Sequence, residues 1–280
     1  MHDASIFSTF LVVFRESLEA SLIVGIILTV LSRLQENRYF IHVILSSVAA
    51  IILSIAICWV TLTYFVQLKG DVKTWIEAIV SLLACGVLTY MVVWMDSQAK
   101  RIKPEIEMSV ESALSKKDLF VVMSMPFLAV FREGAETVLF LTAVANQSSG
   151  SVSFVGGFTG LAAGIIIVYA IFAGGKKIPL RPLFKVSGYL LIFMAAGLLA
   201  YGIHEFHELG VIPEGIKEVW NMNHILNDKQ GLGVFLKALF GYNGNPSLVE
   251  VIAYCLYLFG IFAFLSKKKH EAGFVTSSRQ

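Results

Sequence analysis

Charge is what this 280-residue chain has least of: only 15% of its residues are Asp, Glu, Lys or Arg, against about 25% in an ordinary soluble domain. With 56% hydrophobic residues and a mean hydropathy of +0.75, an ordinary water-soluble fold is excluded and the chain reads as an integral membrane protein. Cysteine is sparse as well. Cys58, Cys85 and Cys255 stand far apart within apolar stretches and fit no disulfide or metal spacing, so they are expected to pack. Of the histidines only His42 falls within an apolar run, close to its end, which argues against haem held by paired histidines. No phosphate-binding glycine loop is present, so ATP-driven chemistry is not expected. No cleavable signal peptide is expected either: Met1-His2-Asp3-Ala4 lacks a basic start, and the first apolar run exceeds a signal core of about 7–15 residues.

What the chain has instead is apolar length. Seven stretches, at about 5–31, 39–66, 74–95, 119–145, 153–173, 184–203 and 247–265, supply the roughly 20 residues that a bilayer-spanning helix needs. The predicted fold is therefore all-α and polytopic, with seven transmembrane helices forming one membrane domain over residues 1–280. With the N-terminus outside, the cytoplasmic segments hold fifteen Lys and Arg, and the external ones hold five: Lys69, Lys73, Lys217, Lys229 and Lys237. That positive-inside bias puts the N-terminus outside and the C-terminus inside. Residues 96–118, charged with both signs, are expected to be a cytoplasmic amphipathic helix or tether. Residues 204–246 are expected to form short helices at the outer surface, and residues 266–280 a cytoplasmic tail, disordered after Lys267-Lys268-Lys269. Tyr64, Trp75 and Trp94 lie near span ends, where aromatic belts form.

Two of the spans carry charge at bilayer depth. Phe14-Arg15-Glu16-Ser17-Leu18-Glu19 and Phe131-Arg132-Glu133-Gly134-Ala135-Glu136 repeat one phrase, and residues 10–22 match 127–139 at eight of thirteen positions, every charge included. An ionisable group there costs about 2.5–3.5 kcal/mol on insertion scales, so two copies point to a function. A duplicated unit of three spans (1–95 and 119–203, joined by 96–118) must invert its second copy, since three is odd. This is the layout of many secondary transporters, with the site near the midplane. The span at 247–265 stands outside the repeat.

On a helix, Glu16 and Glu19 share a face and Arg15 can reach Glu19; Arg132, Glu133 and Glu136 follow the same spacing. Two such helices meeting at the repeat axis would present four carboxylates to a cation. Carboxylate oxygens suit hard cations and iron, whereas zinc and copper usually recruit His or Cys. Fully ionised, four glutamates and two arginines sum to −2, which a divalent ion neutralises and a trivalent ion takes to +1. The bland alternative is that Arg and Glu merely lock two helices together, but locking needs no surplus of carboxylates. Gly134 permits close helix approach, with Ser17 in the equivalent place. Pro126 can kink the fourth span. A second acidic group, Glu77, His204, Glu205, His207, Glu208 and Glu250, falls at or near the outer face and is a candidate capture site.

Two Arg-Glu-x-x-Glu motifs in the first and fourth of seven spans resemble the high-affinity iron permease family, the oxidase-dependent iron transporters of fungi and their bacterial relatives. The Trp94-Met95 pair, the stretch from Gly197 to Glu205 and the stretch from Asn245 to Val251 are similar to family segments as well. The resemblance implies a transporter rather than an enzyme. It also implies iron as the transported substrate with no cofactor, a bacterial cytoplasmic membrane, and Glu16, Glu19, Glu133 and Glu136 as metal ligands supported by Arg15 and Arg132. The shorter chain lacks the large extracytoplasmic domain of some relatives, so a ferroxidase or iron-delivery protein would be a separate partner. No nucleic-acid partner is implied. Two rivals stay open: a permease for another divalent metal such as lead or manganese, and a membrane metal-binding or oxidoreductase subunit.

Overall fold

A polypeptide surrounded by lipid must satisfy its backbone polar groups internally, and long apolar runs with few prolines do so as helices. The computed structural model describes residues 2–98, 102–116, 118–147, 153–173, 180–213, 215–228 and 231–277, and among these there is no strand. In order, the helices are α1 (His2–Arg33), α2 (Phe40–Gln67), α3 (Asp71–Gln98), α4 (Ile102–Ser115), α5 (Leu119–Gln147), α6 (Phe154–Ala173), α7 (Leu180–Glu208), α8 (Gly231–Phe240) and α9 (Leu248–Ser277). Each of the seven predicted spans falls on one of them. Lys100, Arg101, Lys117, Lys176, Lys177, Lys229 and Arg279, counted in the predicted charge bias, lie outside the described residues.

Among the described residues, five helices (α2, α3, α6, α7 and α9) are long and apolar enough to cross a membrane, as a multi-pass membrane protein requires. The motif helices α1 and α5 have ample length at 32 and 29 residues, but each carries three motif charges. Helix ends are closed by local hydrogen bonding. At the end of α1, Gln35 takes a left-handed φ of 59° while the Glu36 amide reaches back to the Leu31 carbonyl at 2.9 Å. Gly210, with φ 70°, does the same after α7, where the Val211 amide bonds Phe206 at 3.0 Å.

Residues packed by backbone proximity form two compact units. The motif unit comprises residues 2–68 and 97–183. In it α1 lies along α6, α2 lies along α5, and α1 also meets α5. The α1–α6 contact is close because Gly156, Gly160 and Gly164 recur every fourth residue: a Cβ on Gly160 would sit 2.7 Å from the Phe10 carbonyl oxygen. The tether between the predicted repeats is helical, as α4. Its apolar face, Val110 and Ala113, joins Ile27, Leu31, Val43 and Val122 in one buried cluster, and Arg33 pairs with Glu111 at 2.9 Å.

The other unit, residues 69–96 and 184–277, holds α3, α7, α8 and α9. Gly202 brings α7 against Ala78 and Leu82 of α3. Phe193 packs on Phe240 and Phe262, and Thr89 shares a 2.6 Å hydrogen bond with Tyr257. In the predicted external segment, residues 216–222 run beside 244–248, with Val219 bonded to Pro246 at 3.0 Å and Met222 to Gly244 at 2.7 Å. Among the described residues of that segment one short helix, α8, forms. The expected disordered tail is instead helical as far as Ser277. The stretch Ser266-Lys267-Lys268-Lys269-His270-Glu271-Ala272 contains good helix formers and no proline, so nothing stops α9 at the end of its apolar run.

Candidate metal site

The motif folds the same way in both copies because helix geometry dictates its pairing. Arg15 Nη1 binds Glu16 Oε1 at 2.6 Å and Nη2 reaches Glu19 Oε1 at 2.7 Å. On α5, Arg132 Nε donates to Glu133 Oε1 at 3.0 Å and lies 3.7 Å from Glu136 Oε1. The predicted i,i+4 pairs form, and the guanidinium also folds onto the adjacent glutamate, which the periodicity did not indicate. Phe10 stacks on Phe14 at 5.4 Å in the first copy, as Phe127 does on Phe131 at 5.9 Å in the second.

The two copies converge. One carboxylate oxygen each from Glu16, Glu19 and Glu133 lies within 4.8 Å of the other two, and all three residues are buried. An octahedral cation about 2.1 Å from its oxygens would space neighbouring ligands by about 3 Å and opposite ones by about 4.2 Å, so modest contraction closes this set around an ion. Glu136 is not in that triad; it stands one turn along α5, with Oε2 buried. Glu16 Oε2, Glu133 Oε2 and Glu136 Oε2 have no hydrogen-bond partner among the described residues. Buried carboxylate oxygens without donors are costly unless something positive meets them. The arginines offset two of the four charges, leaving −2 when all are ionised, a balance that a divalent ion neutralises and a trivalent ion takes to +1.

The second acidic group is arranged differently. His204 Nδ1 lies 3.0 Å from Glu250 Oε1, which also accepts from Ser247 at 2.9 Å, while Asn243 donates to Glu250 Oε2 at 2.8 Å. Glu250 is thus held by three neighbours, two of which (Asn243 and Ser247) sequence reasoning missed because they precede α9 in a non-periodic segment. His204 Nε2 is 3.7 Å from Glu208, Lys73 is 3.5 Å from Glu77, and Tyr201 hydrogen-bonds Glu205. His207 is buried. Among the described residues, no three ligand atoms of these six side chains come within 4.8 Å of one another.

A buried carboxylate triad whose oxygens could hold a cation, in a chain with five helices long and apolar enough to cross a membrane among the described residues, defines the class as a multi-pass membrane protein. Residues 6–268 match the family described as the Iron permease FTR1 family. The chain is 33% identical over 280 residues to a protein named Ferrous iron permease EfeU from Yersinia pseudotuberculosis, covering 99% of this chain and 98% of that one. It is 34% identical over 258 residues to the protein of the same name from Escherichia coli O6:H1, covering 90% and 92%. No solved structure matches. The chain belongs to the iron permease family.

Proposed function

We propose that this protein imports ferrous iron across a bacterial cytoplasmic membrane, using Glu16, Glu19 and Glu133 as ligands near the midplane and Glu136 as the next carboxylate along the path. The observation that carries this reading is the convergence of carboxylates from two separate motif helices on one buried point. The names of the bacterial relatives support the choice of iron and its ferrous state. The inverted repeat is supported by the pairing of α1 with α6 and of α2 with α5, which exchanges partners between the two halves, and by the matching Phe stacks. In this reading α1 and α5 span the bilayer with the other five, the N-terminus lies outside and the C-terminus inside. Glu77, Glu205 and Glu208 collect ions at the outer mouth, and Glu250 is the anchor that fixes His204.

Mechanistically, the carboxylates replace the waters of an incoming ion, and Arg15 and Arg132 hold them in place and limit their mutual repulsion. An inside-negative potential contributes about 2.3 kcal/mol per charge per 100 mV, so a divalent ion is driven inward by roughly twice that, without nucleotide hydrolysis. Any oxidation or delivery of iron falls to a separate extracytoplasmic partner. Purified protein in liposomes is expected to accumulate ferrous iron in preference to ferric iron, manganese and lead. Glu16→Ala and Glu133→Ala are each expected to lose uptake while staying folded in the membrane. Undiminished uptake by either variant would contradict the reading.

A further inference from the structure

Ser17 and Gly134 hold equivalent places in the two motifs, each directly after the first glutamate. Ser17 of α1 faces Gly164 of α6: a Cβ on Gly164 would lie 2.9 Å from the Ser17 Cβ and 3.1 Å from the Leu18 amide nitrogen. Gly134 of α5 faces Ser54 of α2, and a Cβ there would lie 2.6 Å from the Ser54 Cβ. Each junction therefore holds one serine and one glycine, with the two residue types exchanged between motif helix and partner. There is room for one hydroxymethyl group and not for two. Ser17 is fixed further by donating to the Phe14 and Gly160 carbonyls at 2.9 and 3.2 Å, as Ser54 is by donating to Ala50 at 2.9 Å.

The glutamates beside these junctions have no such anchors on their free oxygens: Glu16 Oε2 and Glu133 Oε2 are buried with no hydrogen-bond partner among the described residues. Their placement depends on their arginines and on where the backbones of α1 and α5 lie. We propose that the Ser17–Gly164 and Ser54–Gly134 junctions are positioning contacts that set where the motif glutamates of α1 and α5 meet, and so set the affinity for the transported cation. This rests on the cation-site reading above.

The test uses the full-length chain in proteoliposomes, with ferrous uptake giving KM and maximal rate, and a melting temperature for each variant. Gly164→Ser places two hydroxymethyl groups at one junction and is expected to raise KM about 10- to 100-fold, the range for losing an outer support of a metal ligand. Combining Ser17→Gly with Gly164→Ser restores one group in the exchanged sense and is expected to return KM to within about twofold of wild type. Exchange at Ser54 and Gly134 should behave alike. A merely structural role would lower the melting temperature and leave the KM of the folded fraction unchanged; that result, or an exchanged pair as impaired as Gly164→Ser alone, overturns the proposal. If Gly164→Ser fails to accumulate, recovery of both accumulation and KM in the exchanged pair supports the proposal, and no recovery overturns it. Unaffected uptake by Glu16→Ala would instead end the cation-site reading itself. An inactive Glu16→Ala beside KM-neutral junction variants removes only the positioning role.

Discussion

In the first motif copy the side chains of Arg15, Glu16 and Glu19 are 3%, 3% and 9% exposed; in the second, Arg132, Glu133 and Glu136 are 48%, 2% and 17% exposed. The internal pairing is nearly the same, because the i,i+1 and i,i+4 relations come with the helix. Exposure differs because it is set by neighbouring helices, and residues 15–19 are buried without interruption while Arg132 and Ala135 on α5 are exposed. On the function proposed above, the first copy would be the fixed wall of the site and the second the side from which a hydrated ion reaches Glu133.

The largest expected contrast is between the two arginines. Arg15→Leu leaves two buried carboxylates without their counter-charge and should destabilise the protein by about 3–5 kcal/mol. Arg132→Leu should cost less than half as much, because the half-exposed guanidinium is already partly screened. Denaturation of the purified variants in detergent checks the order, and equal losses would break the distinction between wall and open side. Next comes access at the equivalent positions Leu18 and Ala135. In a background without Cys58, Cys85 and Cys255, Ala135→Cys is expected to react with a hydrophilic maleimide and Leu18→Cys to stay unreactive. Labelling of neither would place the open side of α5 in lipid. The smallest effect is expected at the aromatic stacks: Phe14→Leu and Phe131→Leu should each cost about 0.5–1.5 kcal/mol beyond lost area, and by similar amounts. Unequal losses would show that the two copies differ inside the motif as well as around it.

Much of the site was legible because its signal is local and repeated. The duplicated phrase singled out Glu16, Glu19 and Glu133, which the structure brings together, and Glu136, which it leaves outside that triad, and helical spacing paired Arg15 with Glu19. That spacing also led away from the Arg15–Glu16 contact, since adjacent residues on a helix do not face each other, yet a long guanidinium can fold back onto its neighbour. The serines and glycines opposite the motif were not read, although Gly156, Gly160 and Gly164 at four-residue spacing carried the signal for close helix approach. Nothing in the periodicity of α3 or α7 could indicate which elements would pack into which unit, since that depends on pairings between segments far apart in sequence. The helical character of residues 266–277 was masked by their polarity, which reads as a tail although the residues themselves favour helix.

The central claim is that two motif helices build a single site. Equilibrium binding of ferrous iron to the purified protein under anaerobic conditions tests it most directly. The account predicts one tightly bound ion per chain, lost in Glu16→Ala and lost equally in Glu133→Ala. Two ions per chain, or one ion kept at wild-type affinity when either glutamate is removed, would show two separate sites and contradict it.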